Sequence, residues 1–208
     1  MGIGKVIKEG AEAVIHGATH STRLRGLTHN VVKQFDDVKT RVKRLDSEGA
    51  TVTTRGPNTK TTKWDAETHR PISERGHISK DFGSSKRGDN ATEIGKMGNE
   101  GDDGGHLGGH RFFGDTPDEG IAPQIANLNR GAWKKMENEW ADWANKGYHV
   151  HYNIDVSPPG AVRPDKFEVD YTVTNPHTGE IVHENWPMFR NVDGQDFDRV
   201  YPADMPDL

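Results

Sequence analysis

Between Asp102 and Glu137 the chain carries two kinds of text that leave few folding options. The first, Asp102-Asp-Gly-Gly-His-Leu-Gly-Gly-His110-Arg-Phe, is acidic and glycine-rich and holds two histidines. The second, Ala122-Pro-Gln-Ile-Ala-Asn-Leu-Asn-Arg-Gly-Ala-Trp-Lys-Lys-Met-Glu137, leads into a helix. Each glycine costs about 1 kcal/mol in a helix relative to alanine, so the first block reads as a turn where backbones can approach closely. The second predicts a helix over 129–145. Trp133, Met136, Trp140 and Ala144 mark its apolar face, and Gly147 is its stop.

The rest of the chain supports an α+β class: an antiparallel sheet with flanking helices. Tyr148–Val156, Phe167–Asn175 and Glu180–Asn185 alternate in polarity, with a Pro-His-Thr-Gly turn before the last, and predict a meander. Ala50–Trp64 is Thr/Val-rich and broken at Arg55-Gly-Pro-Asn, which reads as a hairpin. Val31, Val32, Phe35, Val38, Val42 and Leu45 fall at three- and four-residue spacing, which predicts a helix over 28–45 capped by Thr28 and stopped by Gly49. A weaker helical pattern covers 4–16. These readings divide the chain into a helical segment or linker, 1–48, and a main domain, 49–208. Residues 65–105 show little apolar periodicity and read as loop; 107–113 reads as a short strand, and the tail after Asn191 as loop. Hydrophobic residues are only 31 % of the chain, so the five Trp and seven Phe must carry much of the burial.

Several classes drop out. With no cysteine there is no disulfide, thiolate zinc site or Cys nucleophile. No stretch approaches the roughly 20 apolar residues needed to span a bilayer, and the start lacks the apolar run of a signal peptide; neither membrane insertion nor standard secretion is expected. The net charge of −5 is uneven. Residues 1–90 hold 17 Lys+Arg against 11 Asp+Glu, or +6; residues 91–208 hold 10 against 21, or −11. The basic half offers phosphate contacts, while the acidic half is an unusual partner for nucleic acid.

The residue types suit hydrolysis of a phosphodiester, which needs a base for water, charge to neutralise phosphate and stabilisation of the leaving oxygen. His106, preceded by Gly104 and Gly105, is the candidate base, with Asp103 to orient it or its loop. Asn129 is either a helix cap or a Mg²⁺ ligand. Glu137, eight residues on, sits about 80° around an ideal helix and can face the same cleft; it is either a solvated charge or a holder of metal-bound water. Arg111 and Arg130 are candidate phosphate clamps. Gln124 and Asn127 are further polar groups for substrate. Trp133 and Trp140 read as core. His110 invites a zinc reading with His106, which the intervening glycines weaken.

Two blocks resemble the DNA/RNA non-specific endonuclease family, within the ββα-metal (His-Me finger) nucleases. Asp103-Gly-Gly-His106 is similar to that family's Asp-Arg-Gly-His, and Pro123 through Glu137 to its Pro-Gln-x-x-x-Leu-Asn-x-Gly-x-Trp-x-x-Leu-Glu. The resemblance implies that His106 is the base, that Asn129 binds catalytic Mg²⁺ (or Mn²⁺), and that Glu137 acts through the metal's waters. It also implies a base on a β hairpin packed against the metal-bearing helix. Gly104 departs from the family's arginine, with Arg111 as the substitute clamp, and Gly120 stands where many members have asparagine. The departures resemble the bacterial polymorphic-toxin branch. That branch implies DNA, and also RNA, as substrate, a cognate immunity protein as partner, and delivery by a specialised bacterial secretion route into a target-cell cytoplasm. The competing expectations are a protein-binding module on an inactivated nuclease scaffold and a zinc-dependent hydrolase using His106 and His110.

Overall fold

A computed structural model describes residues 28–35 and 38–208. In chain order it contains β1 (Thr28–Phe35), β2 (Val38–Leu45), β3 (Ala50–Arg55), β4 (Asn58–Trp64), β5 (Pro71–Ile78), α1 (Ala91–Gly95), β6 (Asp102–His106), α2 (His110–Phe113) and β7 (Ile121–Ile125). A helical turn, α3 (Ala126–Leu128), and a π-helical turn, Asn129–Trp133, then lead into α4 (Lys134–Asn145). β8 (His149–Ser157), β9 (Lys166–Thr174), β10 (Ile181–Asn185) and β11 (Met188–Arg190) follow. β1 to β5, then β8, β9 and β10, form one antiparallel sheet in that order, with β11 also pairing β9. β6 and β7 form a separate hairpin. The α+β class and the 50–64 hairpin are as expected, and so is the meander, now β8, β9 and β10.

The core lies between the sheet and α4. Val150, Tyr152, Ile154 and Val156 alternate inward from β8, and Phe167, Val169, Tyr171 and Val173 from β9. Trp140 lies flat on Tyr152, ring centres 4.8 Å apart, and meets Tyr171 edge-on at 5.4 Å. Trp133 packs edge-on against Phe167 and Phe189. Trp140 is fully buried, so Trp140→Ala is expected to cost about 3–5 kcal/mol, measurable by chemical denaturation. A loss below about 1 kcal/mol would show that this stack does not hold the helix to the sheet.

Three sequence expectations are corrected. The helix expected over 28–45 is the β1–β2 hairpin, with β2 paired to β3 from Thr40↔Arg55 to Leu45↔Ala50. A four-residue interval fits one face of a strand as well as one face of a helix. Here Thr40 and Val42 are buried while Arg41 and Lys43 are exposed, the period-two answer, and an edge of β3 was there to pair with. Gly49 does stop a helical turn, the short Asp46–Glu48 segment, at φ 57°. The pattern at 4–16 lies outside the described residues.

The stretch read as loop, 65–105, contains β5, α1 and all of β6 but His106. β5 hides because its inward positions are Glu74, Gly76 and Ile78. Glu74 is fully buried against Lys60 Nζ at 3.2 Å and accepts from Thr62 and Tyr152. Gly76 lies beneath the Tyr152 ring, which a Cβ there would strike at 2.2 Å. An ion pair and a missing side chain leave no hydrophobic alternation to detect. Finally, 107–113 is not a strand: Phe112 and Phe113 are adjacent and both fully buried, which the turn of α2 permits and a strand's alternation does not.

Candidate active site

The site rests on three pieces: the β6–β7 hairpin, α1 laid over it, and the helical run from Ala126 to Asn145. β6 pairs with β7 from Asp102↔Ile125 to His106↔Ile121. Trp133 Nε1 donates to the backbone carbonyl of His106 at 3.2 Å, in a buried position. The tryptophan of the Asn-x-Gly-x-Trp block therefore bolts the helix to the strand that presents His106.

α1 explains the missing arginine. A Cβ on Gly104 would lie 1.8 Å from the Ala91 carbonyl oxygen, and one on Gly95 would lie 2.6 Å from the Gly104 nitrogen. The space an arginine would use is taken by α1's backbone. Restoring the family residue, Gly104→Arg, is thus expected to displace α1 and destabilise the protein by about 1–3 kcal/mol or more. Thermal denaturation checks this; an unchanged midpoint would mean that α1 yields freely.

One cleft of about 780 Å³ is lined by Arg87, Lys96, Asp103, His106, His110, Arg111, Asn129, Arg130, Lys134 and Glu137, among others. His106 and Asn129, 23 positions apart in sequence, therefore line the same cleft. His106 Nε2 pairs with Asp89 Oδ2 at 2.7 Å. With Nε2–H donating to that carboxylate, Nδ1 carries the free lone pair. Burial pushes the His106 pKa below the usual value; Asp89 opposes this, while Arg87 and Lys60 add to it. Burial alone would raise the Asp89 carboxyl. The bond and charge of His106, with the backbone N–H groups of Thr116 and Ala91, outweigh it and hold Asp89 well below its ordinary range.

Asn129 Nδ2 donates to Asp103 Oδ2 at 2.9 Å. Its Oδ1 receives no donor among the described residues. Arg130 grips Asp103 through Nε and Nη2 at 2.8 and 2.7 Å, and this pairing, with the Asn129 bond, keeps the Asp103 carboxyl ionised below its usual pKa. Asp103 thus orients Asn129 rather than the imidazole. Glu137 also faces the cleft, and burial pushes its carboxyl up to about 7 against the pull of Arg111 and Arg87. The π turn brings Glu137 and Asn129 closer to one face. It absorbs one extra residue, so eight residues advance about as far as seven in an α-helix, roughly 20° short of two full turns.

Arg111 lines the cleft but is committed, with Nε and Nη2 on Asp81 and Nη1 on Asn138 Oδ1. Arg87 lines it with no partner among the described residues. Gln124 and Asn127 are not brought into the cleft. Gln124 is fully buried beneath Gly105, where strand pairing turns it inward. Asn127 Oδ1 accepts from the Gly194 N–H. The His106 and His110 rings meet edge-on, centres 5.6 Å apart, but His110 Nε2 bonds Asp115 at 3.0 Å. The metal-capable grouping around His110 is with Asp89 and Asp115, not with His106. Asp89 and Arg87 were missed by sequence reasoning. They lie in the patternless stretch before α1, and nothing in their spacing points to His106.

The oxygen groups lining the cleft suit a hard divalent cation: an amide oxygen at Asn129 that meets no donor among the described residues, a carboxylate at Glu137, and no sulfur. The cleft also answers the charge objection. Five lining residues are cationic, Arg87, Lys96, Arg111, Arg130 and Lys134, while Asp102, also in the lining, is neutralised by Arg163 at 2.6 Å. The acidity of the second half of the chain lies largely elsewhere.

Two solved structures of NucA from Streptococcus agalactiae, one with no metal bound and one with a magnesium ion bound, are similar to this chain at 11 % and 10 % identity. Each comparison covers 79 % of this chain and 84 % of NucA, with a TM-score of 0.49. No curated protein matches. A family model described as DNA/RNA non-specific endonuclease matches residues 54–175, a span running from β3 through the cleft to the end of β9. The chain belongs to the DNA/RNA non-specific endonuclease family.

Proposed function

We propose that the protein is a divalent-metal-dependent endonuclease that hydrolyses phosphodiester bonds of DNA, and of RNA, without sequence preference. The observation that carries this is the common cleft: His106, with Nε2 on Asp89, and Asn129, whose Oδ1 meets no donor among the described residues, both line it, with five cationic side chains around them. Asn129 would hold Mg²⁺ or Mn²⁺ directly, and Glu137 through its waters. When bound, such an ion withdraws negative charge from the phosphate and the leaving oxygen. His106 Nδ1 takes a proton from water as the water oxygen bonds to phosphorus, and Asp89 steadies the imidazolium that forms. The P–O3′ bond breaks on the opposite side, and the departing O3′ takes a proton from solvent water to become the 3′-hydroxyl. Arg87 supplies the phosphate clamp that the resemblance assigned to an arginine at position 104 and that Arg111, held by Asp81, is poorly placed to give.

Plasmid and RNA digestion with Mg²⁺, Mn²⁺, Zn²⁺ or EDTA tests this reading. Cleavage is expected with Mg²⁺ or Mn²⁺ and should stop in EDTA. Undiminished cutting in EDTA would remove the metal from the mechanism, and no cutting with any ion would favour the protein-binding reading.

We further infer a role as the toxin tip of a bacterial antagonism system, delivered to a target-cell cytoplasm and held in check by a cognate immunity protein. The support is the Gly-Gly-His-Leu form of the histidine block. No helix among the described residues is long and apolar enough to cross a membrane. Expression in a bacterial cytoplasm should be toxic and be rescued by a neighbouring gene product; harmless expression of active enzyme would end this assignment.

A further inference from the structure

Three histidines gather on the outer face of the large sheet, away from the cleft. β5 and β8 pair with His77 directly opposite His151. Side chains alternate along a strand, so His149 and His151 leave the same face while Val150 and Tyr152 enter the core. The His77 ring stacks on His151 at 4.7 Å and meets His149 edge-on at 4.8 Å. One ring nitrogen from each histidine lies within 4.8 Å of the other two. His77 and His149 are half-buried and His151 is exposed, so the cluster is open to ions in solution.

We propose that His77, His149 and His151 form a second metal site, one for a transition-metal ion of zinc type, with its fourth position open to water. The chemistry selects the ion. Three imidazoles and no carboxylate suit Zn²⁺, Cu²⁺ or Ni²⁺ rather than Mg²⁺ or Ca²⁺. Zn–N bonds of about 2.0–2.1 Å place tetrahedral nitrogens about 3.4 Å apart. Side-chain rotation can close the remaining gap, since the strand ladder already fixes the backbones. The surroundings of two of the rings favour the neutral, ligating form. Burial, then the neighbouring His151 and His149, lower the pKa of His77; burial and His149 lower that of His151. A hydrogen bond to the Pro57 carbonyl opposes this at His77 and steadies the ring, as outer partners of metal-bound histidines do.

An ion here ties β5 to β8, strands whose histidines lie more than 70 positions apart in the chain, at the middle of the sheet. It lies on the face opposite the inward-facing Glu74 and Tyr152, so it acts as a clamp and leaves the phosphodiester chemistry to the cleft.

The test is calorimetric titration of the full chain with ZnCl₂ in excess Mg²⁺, alongside thermal unfolding, for wild type, His151→Gln and His149→Ala/His151→Ala. Wild type should bind one more zinc than the double variant. His151→Gln should bind that ion at least tenfold more weakly. Saturating zinc should raise the wild-type midpoint by about 5 °C and that of the double variant by much less. Mg²⁺-supported cleavage without zinc should be equal in all three. Zinc retained in full by the double variant would place the ion in the cleft and overturn the proposal, as would no zinc binding by wild type. His151 is exposed and His151→Gln keeps a polar side chain there, and full Mg²⁺-supported cleavage reports a folded chain, so loss of binding in that variant cannot be assigned to misfolding.

Discussion

Replacing His106 with alanine is expected to lower kcat/KM by on the order of 10³-fold, within the 10²–10⁴ range of a positioned general base. The loss should come in the chemical step and leave nucleic-acid affinity nearly intact, because the cationic lining is untouched. Its companion is Asp89→Asn. An amide in place of the carboxylate cannot steady an imidazolium, and it can turn its NH₂ toward Nε2, which would move the proton to Nδ1 and leave no base facing the cleft. Loss of the carboxylate behind a catalytic histidine can cost up to about 10⁴-fold where it fixes the tautomer. A comparable fall in both variants, with unchanged binding by filter retention, would establish the pair. Equal activity of wild type and His106→Ala would remove His106 from the mechanism.

The same pair sets the pH dependence. His106 has its pKa lowered by burial, so the ring is neutral at pH 7 and the acid limb of kcat/KM should fall below pH 6.5. Stability follows the same sign. Below pH 6.5 the unfolded chain takes up a proton that the folded His106 resists, so this residue makes the protein less stable as pH falls. An acid limb centred above pH 7 that survives in Glu137→Gln would contradict the neutral-histidine assignment.

The second large effect is expected at Asn129. Asn129→Ala removes the uncommitted oxygen and the Nδ2 donor that meets Asp103. A fall on the order of 100-fold or more in Mg²⁺-dependent cleavage is expected, with a rise in the Mg²⁺ concentration needed for half-maximal rate. Asn129→Asp separates the two roles. It keeps an oxygen donor but sets a second carboxylate against Asp103 Oδ2, now 2.9 Å from Nδ2. Metal requirement near the wild-type level in Asn129→Ala would mean that the cation is held elsewhere, with the Asp89–His110–Asp115 group as the next place to look.

The helix bearing Asn129 and Glu137 was legible because its apolar spacing and its glycine stop are local. So were β8 and β9, whose alternation records one face against α4 and one face outward, and β10, announced by the turn before it. The β1–β2 hairpin was not, because a four-residue spacing satisfies helix and strand alike, and only the edge of β3 chose between them. β5 was invisible for another reason: its inward face is an ion pair, a glycine and one isoleucine, and each makes sense only against Lys60 and the Tyr152 ring. In the cleft, Arg111 carried the right chemistry but had been claimed by Asp81, and Gln124 was turned inward by strand pairing.

What the amino-acid order determined by itself was the inventory of the centre: a histidine freed by glycines on both sides, an amide at a helix entry, and a tryptophan four residues later. These depend on backbone propensity and short-range spacing, which a chain carries wherever it is placed. What only the tertiary structure decided was which charges complete that centre. Asp89 reaches His106 from 17 positions upstream, α1 occupies the room an arginine would need at Gly104, and Arg87 has no hydrogen-bonded partner among the described residues. The physical reason is that a carboxylate or guanidinium acts by its distance and solvation, and both are set by packing between segments that share no pattern.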